Sequence, residues 1–517
     1  MKHLHTYGFV LAALLASGCA STNSTTAKGP VTDAEKLRAA ATTYGQTITA
    51  ADLSKHLTIL ASDAYEGRNT GEKGQKMAAE YIAREFREDG LMGPVKAEGT
   101  SPYYQTFNLE KGTWGDGYVM VGNKKFTMMQ DFFPMGSSIY TTEQSATPVF
   151  IADNAAIDTA SLKGKMLVTM VTNLMEAEKK MNDLGQLARK AEAASVMYVL
   201  APDAFTMMNQ RYASRLRQAS ISLPGKTNSR RTTTFMASPA LGAAILGTTP
   251  AKLSATATTY KPATDVKILT QRNTTPLPTE NVLGFIEGSD KKDEVVLVTA
   301  HYDHVGIEQD AEGDDKIFNG ANDDGSGTVA VIELAEAFAK AKQAGYGPRR
   351  SILFMTVTAE EKGLLGSEYY SENPVFPLAN TVADVNIDMI GRMDFDYEKQ
   401  NDSNYIYVIG SDKLSSELHK INEEANQKYT NLKLDYKYND ENDPNRFYYR
   451  SDHYNFAKHG IPIIFYFNGV HADYHKPSDS VDKILFDSAE KVARLAFYTT
   501  WELANRDNRI VVDSNKK

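Results

Sequence analysis

The chain has 517 residues, of which 42% are hydrophobic and 23% charged, with a formal net charge of −9. That length admits two or three domains of ordinary globular composition, and the acidic balance argues against nucleic acid as the main partner. A single cysteine, Cys19, excludes an intramolecular disulfide and any cysteine-based zinc centre, so a bound metal must be held by histidines and carboxylates.

At the amino terminus Lys2 and two histidines precede an apolar run from Phe9 to Ala16, followed by Ser17-Gly18-Cys19. The run is too short to remain as a bilayer-spanning helix, and it suits an export signal. Small residues before a lone cysteine resemble a bacterial lipobox, although Ala16 stands where leucine is usual and Leu15 lies one place further back. Residues 1–18 are therefore expected to be a lipoprotein signal peptide, with lipidation at Cys19. Residues 19–45 would form a tether, polar from Ser21 to Pro30. The protein would be exported and held on a bacterial membrane by acyl chains. Ala20 after the cysteine resembles the sorting pattern for the outer membrane and periplasm of a Gram-negative cell. An ordinary secretory signal with an incidental cysteine is the plainer alternative.

Residues 46–92 read as helices. Leu53, Leu57 and Leu60 space one face, and Met77, Tyr81 and Phe86 mark another that Gly90 ends. Between them lies the glycine-rich ASDAYEGRNTGEKG, with Glu66 and Arg68. From 141 to 264 threonine and alanine rise. A strand at 165–172, a helix around Leu187 to Ala194 and a strand at 196–201 suggest a small separate α/β unit, with a linker at Pro276 and Pro278 after it. From Glu280 onward the apolar segments NVLGFIEG, EVVLVTA, SILFMTVTA, TVADVNIDM, NYIYVIG and IPIIFYF alternate with amphipathic helices such as Val329 to Lys340. This alternation predicts an α/β fold with a mostly parallel central sheet covered by helices on both faces. The expected division is a main domain over 46–140 and 265–507, an insert over 141–264, and a polar tail over 508–517.

Chemistry-bearing residues fall at the ends of these strands. His301 follows VVLVTA, Asp323 opens the turn before a helix, and Glu360-Glu361 follow ILFMTVTA. Asp388 ends TVADVNI, and His475 lies in the loop after IPIIFYF. In a parallel sheet such ends converge on one edge. Two histidines, two single carboxylates and one glutamate of the pair suit two zinc ions with one shared aspartate and room for a bridging water. Adjacent residues of an extended segment point to opposite sides. One glutamate can thus bind metal while the other moves a proton from water to a departing amine. Taken singly, a Glu-Glu pair is a common surface feature and His301 a common turn histidine; their joint placement carries the reading.

The segments AHYDHVG, NGANDDGSG, AEEKGLLGSEYY, NIDMIGR, RSDHYNFAKHGIP and DYHKPSDS together resemble the co-catalytic di-zinc aminopeptidases of the bacterial leucyl aminopeptidase and aminopeptidase Y type. The resemblance extends over most of residues 50–505. It implies a zinc exopeptidase-like fold in which His301 and Asp388 bind one zinc, Glu361 and His475 the other, and Asp323 bridges. It further implies that Asp303 orients His301 through its second ring nitrogen, that Glu360 is general base and acid, and that Tyr474 donates to the oxyanion. Asp324 departs from the asparagine of many relatives and need not touch metal. Residues 141–264, through SLKGKMLVTMVT and ARKAEAASVMYVLAPD, resemble an inserted protease-associated (PA) domain. The expected activity is removal of amino-terminal residues from peptides. A carboxypeptidase on the same scaffold is the alternative, with Arg392, Arg446 or Arg450 receiving a terminal carboxylate and Arg450 offered as a substrate-binding residue. A catalytically inactive, receptor-like binding module is the third reading.

Overall fold

A computed structural model describes residues 33–513 apart from 97–98, 136–139, 153–157, 173, 226–231, 255–256 and 258. Cys19 and the apolar run before it lie outside the described residues. Among the described residues no helix is long and apolar enough to cross a membrane.

Four strands form a parallel block: Ile463–Phe467, Thr381–Ile387, Lys291–His301 and Arg350–Val357, in that spatial order. Each is a run of β-branched and apolar residues, and each is buried along its apolar length. Alternation sends Val296, Val298 and Ala300 into a core with Phe338, Phe497 and Trp501 on one face. Val295 and Leu297 enter a second core with Phe456 on the other. At about 1.5–3 kcal/mol per fully buried side chain, this two-sided burial outweighs any local preference and fixes the strand register. The helix Gly327–Gln343 makes the crossover from Lys291–His301 to Arg350–Val357. The carboxyl ends of the four strands therefore share one edge.

The whole sheet is mixed. Tyr405–Ile409 pairs antiparallel with Ile463–Phe467 on one flank. On the other, Val266–Ile286 pairs antiparallel with Arg350–Val357 and with Tyr104–Val121. The stretch expected as a linker is thus strand. Pro276 and Pro278 are tolerated because Val266–Ile286 is flanked there by Tyr104–Val121 alone, and proline is accepted where one strand side has no ladder to serve.

A second sheet runs Phe132–Met135, Thr233–Ala237, Ser195–Leu200, Met166–Val171 and Pro148–Phe150. Its edge strand Phe132–Met135 comes before the boundary expected at 141. Two-residue sequence periodicity could not assign FFPM to either sheet. The helix expected at Leu187 to Ala194 instead spans Leu174–Lys190, and Ala193 and Ala194 belong to the turn into the next strand. One face of this small sheet, with Met166, Val168, Met197 and Val199, packs against Val119, Val266 and Ile268 of the long antiparallel hairpin.

Part of the expected tether is instead the helix Asp33–Gly45, whose Ala40 and Ala41 enter the first core; the helices Ala50–Leu60 and Lys73–Glu88 cover that core through Leu53, Leu57, Tyr81, Ile82 and Phe86. The turn between them reaches the functional edge of the sheet. Gly67, at φ 62°, lies so close to the carbonyls of Gly306 and Phe318 that a side chain would collide with them. Arg68, 1% exposed, follows it. Its guanidinium donates to four carbonyls: Nε to Tyr302 at 2.8 Å, Nη1 to Leu60 at 2.8 Å and Asn319 at 2.7 Å, and Nη2 to Gly320 at 2.9 Å. The planar fork satisfies carbonyls of three separate segments at once, which a lysine cannot do. Arg68→Met should orphan these buried acceptors, at about 1–3 kcal/mol each. The expected outcome in urea unfolding is a loss of about 3 kcal/mol or more, with Arg68→Lys recovering only a minor part. A methionine variant as stable as the parent would refute this role.

Candidate metal centre

Each candidate ligand is delivered by a short segment at the sheet edge. His301 is the last residue of its strand, and its backbone N–H donates to Asp324 Oδ2 at 3.2 Å. Asp323 lies in the turn that starts the crossover helix, with its N–H and that of Asn322 donating to the Asp479 carboxylate. The Asp323–Asp324 peptide bond is cis. Ala359, Met389 and His475 have φ of 58°, 57° and 52°. Non-glycine residues in the left-handed region are sparse and cluster at functional sites, and these three adjoin or supply candidate site residues.

Five of the expected groups converge. His301 Nε2 is 3.2 Å from Asp323 Oδ1 and 3.7 Å from Asp388 Oδ1. His475 Nε2 is 3.0 Å from Asp323 Oδ2 and 3.1 Å from Glu361 Oε2. Asp323 thus presents one oxygen to each cluster. Tetrahedral zinc with bonds of about 2.0–2.1 Å holds its ligand atoms about 3.3 Å apart, so both sets of spacings fit. Asp323 Oδ2, Glu361 Oε1 and Asp388 Oδ1 are buried and have no hydrogen-bond partner. Orphaned buried acceptors are rare and need an explanation; a cation between them supplies one.

Electrostatics tell the same story. Burial opposes charge on His475, yet Asp323 and Glu361 hold its imidazole up at about 10. Against the same burial, His304 and His475 hold Glu361 down at about 2. The buried carboxylates here call for positive charge beside them.

Glu360 stands apart from these two clusters, with Oε2 3.9 Å from His301 Nε2. Burial pushes its carboxyl well above the ordinary range, with Glu361 and Asp452 adding to the effect. Tyr474 stacks on His475 with ring centroids 3.9 Å apart. Burial, with the charges of Asp323, Glu361 and Glu360, keeps its phenol protonated and able to donate. His301, Asp323, Glu360, Asp388, Arg450 and Tyr474 line one pocket with Met389, Phe447, Phe465, Phe467 and Val470.

The role expected of Asp303 needs correction. His301 Nδ1 donates to the Asp303 carbonyl at 3.0 Å, whereas the nearer carboxylate oxygen is 3.9 Å away. The carboxylate is occupied elsewhere, accepting from Glu360 N at 3.1 Å and Thr70 Oγ1 at 2.7 Å. Asp303 therefore orients His301 through its backbone and Glu360 through its side chain.

Residues 281–500 match the family model described as peptidase family M28. The chain carries a peptidase family M28 domain. A probable glutamate carboxypeptidase of Arthroderma benhamiae is 38% identical over 113 residues, 22% of this chain and 14% of that protein. A probable zinc metalloprotease of Pyrenophora tritici-repentis is 27% identical over 268 residues, 44% of this chain and 52% of that protein. The chain thus spans about half or less of the length of these curated relatives. The solved structure of an aminopeptidase from Aneurinibacillus sp. strain AM-1 superposes with a TM-score of 0.50 at 18% identity, covering 92% of this chain and 98% of that one, a likeness of fold.

Within the M28 domain several residues have supporting roles that the sequence did not assign. Ser451 Oγ donates to Asp388 Oδ2 at 2.7 Å and accepts from Asn386 Nδ2 at 2.9 Å, leaving Asp388 Oδ1 free to face His301. Asp324 accepts from the backbone N–H groups of His301, Gly327 and Met389, clamping two strand ends to the crossover helix. Ser451 and Asp479 lie inside the segments that carried the resemblance, but their partners are distant amides and carboxylates that spacing does not reveal. Partners that orient ligands are typically worth 10–100-fold in metal affinity. Ser451→Ala should therefore weaken zinc binding by about 10–100-fold in competition with a chromophoric chelator. Unchanged affinity would remove Ser451 from the site.

Proposed function

We propose that the protein is a di-zinc aminopeptidase. The observation that carries this reading is the Asp323 carboxylate, which offers one oxygen to the His301–Asp388 pair and the other to the Glu361–His475 pair while Glu360 stays outside both. When bound, two zinc ions would supply Lewis-acid polarisation of a carbonyl and a water that is nucleophilic at neutral pH. The chain supplies the rest. Glu360, anchored through its backbone on Asp303, takes a proton from water and returns it to the leaving amine, without which an amide anion would have to depart. The Tyr474 hydroxyl donates to the developing oxyanion. His475, 39% exposed against 1% for His301, marks the side from which a substrate enters.

The pocket beside these groups is walled by Met389, Phe447, Phe465, Phe467 and Val470, which suits an apolar side chain on the residue removed. A substrate ammonium would sit among Glu360, Asp388 and buried Asp452. One observation favours the carboxypeptidase alternative: Arg450 also lines this pocket. The other arginines considered for that role are not among the residues lining the pocket. Arg392 pairs with Asp473 at 3.0 Å, and Arg446 lies over the Tyr449 ring. One cation against several carboxylates favours an amine over a carboxylate at the substrate terminus. The small sheet's resemblance to a protease-associated domain and the lipid anchor at Cys19 are kept as parts of this proposal. An unmodified amino terminus at Cys19, read by mass spectrometry of native protein, would remove the anchor.

Unblocked aminoacyl arylamides and dipeptides with apolar first residues should be cleaved, and amino-terminally acetylated peptides should not. Cleavage of blocked peptides from the carboxyl end would establish the alternative. Glu360→Gln should lower kcat by about 10²–10⁴-fold while zinc content, measured by elemental analysis, stays at the parent value. Loss of zinc in this variant would mean that the two glutamates have exchanged roles.

A further inference from the structure

The second of the two clusters contains a histidine that the five-residue set omits. His304 is fully buried, and neither of its ring nitrogens has a hydrogen-bond partner. Its Nδ1 is nonetheless 2.7 Å from Glu361 Oε1 and 3.9 Å from Asp323 Oδ2. Glu361 Oε1 is itself buried and unpartnered. The two atoms are at hydrogen-bond distance without hydrogen-bond alignment, so neither is aimed at the other. His301 and His475 come equally close to Asp323, at 3.2 and 3.0 Å. His304, Asp323 and Glu361 each offer a ligand atom within 4.8 Å of the others, close enough to hold one metal ion.

The ring has little freedom to be anywhere else. The His304 backbone N–H donates to the Arg68 carbonyl at 3.2 Å. Gly320 lies flat against the imidazole, where a side chain would come within 2.5 Å of Cγ and Cδ2. His304 and His475 meet edge to face, with centroids 5.7 Å apart, across the Glu361 carboxylate. Glu361 is thus spanned, with Oε2 toward His475 and Oε1 toward His304.

We infer that His304 is a fourth protein ligand of the zinc position formed by Asp323, Glu361 and His475, which makes the two positions unequal. This rests on the two-ion reading above. The position of His301, Asp323 and Asp388 would have three protein ligands and the other four, and the additional imidazole would hold its ion more tightly. The three-ligand position would then exchange its ion first on dilution or chelation.

The test uses the full chain, freed of metal and then titrated with zinc against a competing chelator. The parent should take up two ions of unequal affinity. His304→Ala should weaken one of them by more than the roughly 100-fold that loss of an orienting partner can reach, and the cobalt-substituted protein should change its absorption at that position. His304→Asn, which keeps a hydrogen-bonding group near Glu361 but no imidazole, should fail to restore either property. Restoration by asparagine would make His304 an orienting partner of Glu361 and overturn the inference. So would parent-like affinities in His304→Ala. X-ray absorption of the unaltered two-zinc protein gives an answer that needs no variant: three imidazoles shared by two ions are expected, and two would refute His304 ligation. Uptake of fewer than two ions by the parent would overturn the two-ion reading itself, and this inference with it.

Discussion

Concentrated negative charge at one edge of a buried sheet is the constraint around which this molecule is built. Asp303, Asp323, Asp324, Glu360, Glu361, Asp388 and Asp452 crowd the ends of four parallel strands, most of them shielded from water. Taking carboxylates out of water costs several kcal/mol each unless positive charge or hydrogen-bond donors replace the lost hydration. The protein answers in two ways. Some carboxylates are saturated by backbone amides, as Asp324 is by His301, Gly327 and Met389. Others are left with a bare oxygen facing a histidine, as Glu361 Oε1 faces His304.

That division explains why the surrounding polar structure is so dense. Arg68 ties the segments after His301 and before Asp323 to the amino-terminal helix, so the two ligand-bearing turns cannot drift apart independently. Asp479 holds the backbone of Asn322 and Asp323, and Ser451 turns Asp388. The left-handed residues Ala359, Met389 and His475 aim the segments that follow the strands. Conformations of this kind cost of order 1–3 kcal/mol each and persist only where packing over-determines them. Here the two-sided core beneath the site supplies that determination.

The main sheet was legible because its strands are long apolar runs that no surface element tolerates, and because Glu360-Glu361, His301 and Asp388 each follow such a run directly. The antiparallel flank was harder to read. Val266–Ile286 passes through the polar stretch 271–275 and two prolines, so its strand character there comes from pairing with Tyr104–Val121 rather than from pattern. Phe132–Met135 is four residues long and joins a sheet whose other strands follow it in sequence. The helix before Ser195 starts at Leu174, well upstream of the segment read as helix from sequence.

The sequence by itself determined the chemical inventory: histidine and carboxylate donors at strand ends, a paired glutamate, one cysteine, and the parallel block that gathers the donors. Residue type and strand position are local properties, and hydrophobic burial enforces them strongly enough to be read in one dimension. Which oxygen of Asp303 meets His301, that Arg68 is a buried tie rather than a surface charge, and that His304 faces Glu361 were decided by tertiary structure alone. These depend on side-chain directions set by chain segments up to about 250 residues apart. A polar atom takes whichever partner the packed backbone brings within about 3 Å, and no spacing along the chain specifies that partner.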